Sequence, residues 1–203
     1  MKKYAVLHEP GDIVTLAGTR FVVLDVERRG SLPDSLFLLA LESVGTSEFG
    51  SSNNYAESDL KKAVDKWLED MDKRGLDNAK LIPREIDLTT LDGSGCYGKL
   101  SVKAAPLTLD EAREYADIIP NAERWCWLAT GWSGPSKSDG DLALYVNSNG
   151  GWGGHYCSGS YGIRPALKAP SILFEDSEAG LDLSKIPTDD LLQEIHRRLA
   201  EKA

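Results

Sequence analysis

The sequence predicts an α+β domain, two helices packed on a twisted, mainly antiparallel sheet, and three observations predict it. Short apolar runs such as Ile13-Val14-Thr15-Leu16 and Phe21-Val22-Val23-Leu24 stand next to turn residues, the signature of strands. Two segments carry apolar residues at helical spacing behind capping signals. Between Arg124 and Leu167 the text changes to Gly, Ser, Asn and aromatic residues around two short apolar runs, which is the pattern of short strands joined by polar loops.

At 203 residues the chain has the length of one main domain, or of one domain with an appendage. A hydrophobic share of 41% and a charged share of 27% are ordinary for a folded soluble protein. The formal net charge of −9 argues against nucleic acid, because replacing phosphate counterions needs clustered Lys and Arg. An anionic membrane surface is disfavoured on the same ground. Three cysteines, Cys96, Cys126 and Cys157, cannot all pair within the chain and suit synthesis in a reducing compartment. The apolar run at Tyr4–Leu7 is cut off by His8-Glu9-Pro10, so cytoplasmic synthesis without a signal peptide is expected. No apolar stretch reaches the roughly 18 residues of a membrane span.

From Asp12 to Glu27 the sequence reads as a β-hairpin around Ala17-Gly18-Thr19, and Leu36 to Leu41 as a third, buried strand. Asn53 to Met71 predicts a helix with Leu60, Val64, Trp67, Leu68 and Met71 on one face, capped by Ser58 or by Asn54 with Glu57, and stopped at Gly75. Leu81 to Val102 reads as loop-rich. A second helix is expected from Leu109 to Ile119, opened by Thr108 with Glu111 in capping-box position and closed before Pro120. Trp125–Leu128 and Leu142–Val146 read as strands. The main domain is taken as 1–170, followed by an acidic linker, 171–187, and an amphipathic helix, 188–203, whose Leu191, Leu192, Ile195 and Leu199 form a stripe. Such a stripe docks on its own domain or on a second copy, which leaves a homo-oligomer as one expectation.

Three stretches carry a family resemblance: Trp125-Cys126-Trp127-Leu128-Ala129-Thr130-Gly131-Trp132, Leu144-Tyr145-Val146-Asn147-Ser148-Asn149-Gly150-Gly151-Trp152, and Tyr161-Gly162-Ile163-Arg164-Pro165-Ala166-Leu167. Upstream, Gly11-Asp12-Ile13-Val14, Phe21–Val26 and Asn54-Tyr55-Ala56-Glu57-Ser58-Asp59-Leu60 follow in the same order. Together they resemble a family of uncharacterised domains of gut Firmicutes and their phages, itself similar to the C-type-lectin-like branch that holds formylglycine-generating-enzyme-like proteins and the variable proteins of diversity-generating retroelements. The resemblance covers roughly residues 10–168 and rests on the order of short motifs. It implies a C-type-lectin-like fold and a receptor-recognition role, with a virion-associated setting.

In the retroelement-diversified relatives this segment is rewritten at asparagine codons, which yields Asn, Ser, Tyr, Gly, His and Cys, and residues 145–161 are rich in those types. Diversified segments usually end near the chain terminus, whereas this chain continues to residue 203. The composition is also that of an adaptable binding surface, since Tyr and Trp bring contact area at low entropy cost and Ser, Gly and Asn bring flexible hydrogen bonding. Tyr145, Asn147, Asn149, Trp152, His155, Tyr156, Ser158, Ser160 and Tyr161 are the candidate contacts with a macromolecular ligand, a protein or a glycan on a bacterial surface. The competing reading places Trp152 and Tyr156 in the core. Arg164 reads as an anchor that ties a neighbouring loop to a closing strand.

Neither catalysis nor a cofactor is expected. His155 and Cys157, two apart, would share a face of a strand, and a Cys-His pair is one route to an activated thiolate, but no orienting third group is evident and a lone cysteine reads as a small buried hydrophobe. The cysteine-based metal site of formylglycine-generating enzymes is not clearly reproduced. The Glu-Pro-Asn or Gln-Pro-Asp and Trp-Asn-Asp motifs of calcium lectins are absent, which leaves Asp139, Asp141, Asn147 and Asn149 as ordinary loop oxygens.

Overall fold

The computed structural model describes residues 8–29 and 32–174. β1 (Ile13–Leu16) and β2 (Thr19–Arg29) form the expected hairpin. Its two turn residues, Ala17 and Gly18, both have positive φ, 45° and 76°. That is the type I′ geometry, whose twist matches the flanking strands. β3 (Leu32–Ala40) runs back along β2 and is longer than the predicted run at Leu36–Leu41, and β4 (Thr46–Glu48) follows it.

The predicted helix over 53–71 is in fact two pieces. Asn54 caps a 3-10 turn at Tyr55–Glu57, its side chain accepting from the Ala56 N–H, and Ser58 then caps α1 (Asp59–Lys73) by accepting from the Lys61 N–H. Both candidate caps are used, one for each piece. Leu60, Val64 and Met71 are buried, with Trp67 and Leu68 packed partly buried beside them. Gly75, at φ 100°, supplies the left-handed residue that ends the helix.

The stretch read as loop contains a hairpin, β5 (Arg84–Asp87) and β6 (Lys99–Val102), followed by the short β7 (Ala104–Ala105). β5 does alternate between buried and exposed positions, but one of the buried ones is Arg84, which hides the apolar period. α2 (Leu109–Glu114) has the capping box in full and is shorter than predicted. Beyond it the backbone tightens into turns, with Ala116 N–H donating to Arg113 and Ile118 N–H to Tyr115.

The remaining strands are β8 (Cys126–Gly131), β9 (Leu142–Val146), β10 (Trp152–Tyr156), β11 (Ser160–Gly162) and β12 (Ala166–Pro170). They complete two five-stranded sheets, in the orders β1-β2-β3-β12-β7 and β10-β9-β8-β11-β4. Among the described residues only the β8–β11 pairing is parallel, so the fold is a mixed α+β arrangement dominated by antiparallel strands. The helices lie on opposite faces of the first sheet. Phe21 and Val23 point into the cluster that contains the α1 residues Leu60, Val64 and Met71, whereas Val22 and Leu24 point into the one that contains Leu109 and Ala112 of α2. The second sheet contributes to both clusters, Trp127 and Ala143 to the first and Leu128 and Leu144 to the second.

The predicted linker begins as structure. Ser171–Phe174 is a 3-10 turn that buries Phe174, with the His8 ring edge-on at 5.8 Å. Burial lowers the pKa of that histidine, and the charge of Asp12 opposes the shift. The rest of the linker and the predicted helix at 188–203 lie outside the described residues. No described helix is long and apolar enough to cross a membrane.

Candidate ligand-binding surface

The surface is built outward from Trp127. This indole is buried on β8, donates its N–H to the Ser47 carbonyl at 3.0 Å and packs edge-on against Phe49 at 5.5 Å. Tyr161 of β11 meets the other side of Trp127 at 4.6 Å and is the hub of a larger cluster. It lies 5.5 Å from Tyr145, 5.7 Å from Trp125 and 5.2 Å from His155. Trp125 and Tyr145 are stacked, 4.8 Å apart and 3° from parallel. Four strands thus place one aromatic group after another, with Trp127 as the dry base and Trp125, Tyr145, Tyr161 and His155 reaching water.

Two glycines make this arrangement fit. A Cβ on Gly153 would come within 2.6 Å of the Tyr145 hydroxyl oxygen, so the tyrosine lies directly over β10. On Gly154 it would come within 2.3 Å of the Trp132 ring, which covers the opposite face of the same strand. Side chains alternate across a strand, and the register pairs Gly153 with Tyr145 and His155 with Ala143 on one face, and Trp152 with Val146 and Tyr156 with Leu142 on the other.

The nine predicted contacts therefore do not form one patch. Tyr145, His155 and Tyr161 come together on the Trp125 side. Trp152 and Tyr156 are on the reverse side of β10, 44% and 59% exposed, so the alternative that places them in the core is overturned. The Arg113 guanidinium sits 5.2 Å from the Trp152 ring centre. Because β10 is an edge strand, the two faces meet along one rim.

The polar stretch 147–161, expected as loop, is also corrected: it contains β10 and the start of β11, joined by two tight turns. Asn147 shapes the first turn, its side-chain oxygen accepting from the N–H groups of Asn149 at 2.8 Å and Gly151 at 2.9 Å. Asn149 is exposed at the tip. Ser158 is exposed in the second turn, and Ser160 is exposed on β11 opposite Glu48.

Trp125, absent from the predicted contacts, precedes β8, is 42% exposed and belongs to the surface. The spacing Trp125-Cys126-Trp127 was the available signal, since alternation puts both rings on one side and only one of them under the neighbouring strand. Asn53 was missed as well. It is buried and donates to the carbonyls of Ser133 at 2.9 Å and Leu142 at 3.0 Å, while accepting from the Tyr97 hydroxyl at 2.6 Å. One amide thereby fixes the long loop between β8 and β9 against the β5–β6 region. Lys137 adds a hydrogen bond to Asp92 which, with one from Thr90, holds that carboxyl down at about 2.

Arg164 is the anchor the sequence suggested. It is buried, and its guanidinium donates to Ala40 O at 2.7 Å and to Pro120 O at 2.9 Å, tying the loop after α2 to the end of β3. The shared strand face expected of His155 and Cys157 is corrected. β10 ends at Tyr156, so His155 is exposed while Cys157 is buried beyond the strand. Burial, with the charge of Asp141 next, pushes the Cys157 thiol up to about 12. Burial also raises Cys126, to about 11. Among the described residues no group of three or more His, Cys, Asp or Glu side chains converges as a metal site.

Comparison with family models, with curated proteins and with solved structures found no match.

Proposed function

We propose that this protein is a non-catalytic binding module of the C-type-lectin-like fold, and that it recognises the surface of another protein through the rim formed by β8 to β11. The observation that carries the reading is the contiguous, partly exposed cluster of Trp125, Tyr145, Tyr161 and His155. Tyrosine and tryptophan dominate the energetics of protein recognition because they bury large area for few frozen torsions. Here they are braced from below by Trp127, so ordering them on binding costs little. Trp152 and Tyr156 extend the contact around the edge of β10, and Asn149, Ser158 and Ser160 supply polar groups at its margin.

On this reading the chain is a receptor-recognition protein of the retroelement-diversified kind, from a phage or prophage, and 145–161 is the segment open to rewriting. The glycines at 153 and 154 would then be fixed positions within it, since any side chain there collides with Tyr145 or Trp132. A near-copy of the DNA for residues 125–167, differing at adenines and lying beside a reverse-transcriptase gene, is the genomic sign of that mechanism.

The binding test uses an array of purified bacterial surface proteins beside a glycan array, probed with the wild-type chain, Trp125→Ala and Tyr145→Ser. The expected result is a protein-array signal that falls at least about tenfold in affinity in both variants. Signals confined to the glycan array, or equal binding by all three chains, would overturn the assignment.

A further inference from the structure

β10 ends the second sheet, and only one side of its main chain is used. The register with β9 fixes which side. Just before the strand the Asn147 N–H donates to Gly151 O, and just after it the Cys157 N–H donates to Asp141 O, both at 2.8 Å. Hydrogen-bonded pairs alternate with non-bonded ones along an antiparallel ladder. The N–H and C=O of Gly153 and His155 therefore point at β9, while those of Trp152, Gly154 and Tyr156 point away from the sheet. The Tyr156 carbonyl accepts from the Gly159 N–H at 2.8 Å, but the three outward N–H groups have no acceptor among the described residues.

An open ladder of this kind recruits another strand, and proteins guard it with Lys, Pro, a bulge or a very short edge. β4, at the opposite edge of the same sheet, is three residues long and ends on Glu48. β10 has none of these guards. It is five residues long, pairs with β9 without a bulge and contains no Asp, Glu, Lys, Arg or Pro.

We propose that a second copy of this chain covers the edge: two β10 strands pair antiparallel about a two-fold axis through Gly154, joining the second sheets of two copies into one. The strand is its own complement in that register. Trp152 falls opposite Tyr156 of the other copy on the same face of the joined sheet, where both rings are exposed in the single chain, and cross-strand aromatic pairs stabilise a sheet. His155 falls opposite Gly153, which has no side chain and lies under Tyr145. At the axis the Gly154 N–H of each copy donates to the Gly154 carbonyl of the other, and the Trp152 and Tyr156 amides pair in the same way. An axis one residue to either side would shorten the overlap and set Trp152 or Tyr156 against Gly154. The chain carries a formal net charge of −9, yet along this strand no like charges face each other.

An axis through a hydrogen-bonded pair runs perpendicular to the sheet, so the two aromatic clusters face the same way. On the functional reading above, the dimer presents two rims to one surface and gains by avidity. Trp152 and Tyr156 stay on the outside of the joined sheet, along its seam.

The test is sedimentation velocity of the full chain from low micromolar to submillimolar concentration, with amide exchange read from 15N–1H spectra at both ends of that range. A monomer–dimer equilibrium is expected. The amides of Trp152, Gly154 and Tyr156 should gain protection as the dimer forms, whereas those of Gly153 and His155, held by β9, should be protected throughout. Trp152→Lys with Tyr156→Lys, both at exposed positions, sets ammonium groups against each other across the seam and should weaken association at least about tenfold. Ile13→Lys, at a 48% exposed position on the edge of the other sheet, should leave it unchanged. A monomer at every concentration, a dimer that the lysine pair does not weaken, or a dimer whose three outward amides still exchange freely would overturn the proposal. Protection of those amides in the monomer would overturn it too, by showing that the edge is covered from within the same chain.

Discussion

In the first sheet Phe21, Val22, Val23 and Leu24 are all buried, alternately under α1 and under α2, whereas in the second sheet Trp127 is buried and Trp125, just before it, stands in water. Both stretches are apolar in sequence and both lie on sheets of the same size. The difference is what covers them. The stretch of β2 that lies between the two helices, Phe21–Leu24, has water excluded from both faces, so its apolar residues serve stability. On β10 the cover is a single ring on each face, Tyr145 on one and Trp132 on the other, so much of the aromatic area there stays in water. Exposed aromatic area concentrated in one place is the property of an interaction site.

That contrast makes graded predictions. Phe21→Ala should cost the most, about 3–5 kcal/mol in urea unfolding; a value near that of a surface substitution would mean the first sheet is not held from both sides. Arg164→Met removes two charged donors from the Ala40 and Pro120 carbonyls and should cost about 2–3 kcal/mol, with faster amide exchange at 118–121. Asn53→Ala should cost about 2 kcal/mol and loosen the loop between β8 and β9, seen as lost exchange protection at Trp132 and Leu142. Trp125→Ala should cost only about 1 kcal/mol, the worth of an aromatic pair, although it deletes a larger ring than Phe21→Ala does. If the two ring deletions cost the same, the distinction between a stabilising sheet and a displaying one fails.

A pH series sharpens the same point. The ordinary thiol value is 9.0, and burial raises Cys126 to about 11 and Cys157 to about 12. Well below pH 9 these thiols are protonated in both folded and unfolded chains. As pH climbs from 9 toward 12 the unfolded chain loses the protons first, so stability falls across that window. At pH 8 a thiol reagent should label the exposed Cys96 quickly and the other two only on unfolding; rapid labelling of Cys157 would reopen the thiolate reading.

The sequence was most legible where one residue does one local job. Thr108 with Glu111, Ser58, Asn54 and the Ala17-Gly18 turn act on their own neighbours, and each was readable from spacing alone. Leu142–Val146 was bounded correctly because its apolar run is bracketed by polar turns. What could not be read depended on distant partners. β10 contains Gly153-Gly154, which locally signals a loop, yet those glycines are required because Tyr145 and Trp132 lie over the strand. β5 looked polar because Arg84 fills a buried position that is satisfied by Glu111, 27 residues away. The site followed the same rule. Its residue types were evident from composition, but the division of Tyr145, His155 and Tyr161 from Trp152 and Tyr156 needed the register of β9 with β10.

Both sheets are closed by the same two stretches of chain. β3 pairs with β12 in the first and β4 with β11 in the second, so residues 32–48 meet residues 160–170 twice. While the polypeptide is being synthesised, neither half has its closing strand until the other end emerges, and loop closure over that distance is slow. Translation must therefore run almost through the described domain before any of it becomes resistant to proteases, and a message truncated within 150–160 should yield chains that never acquire a core.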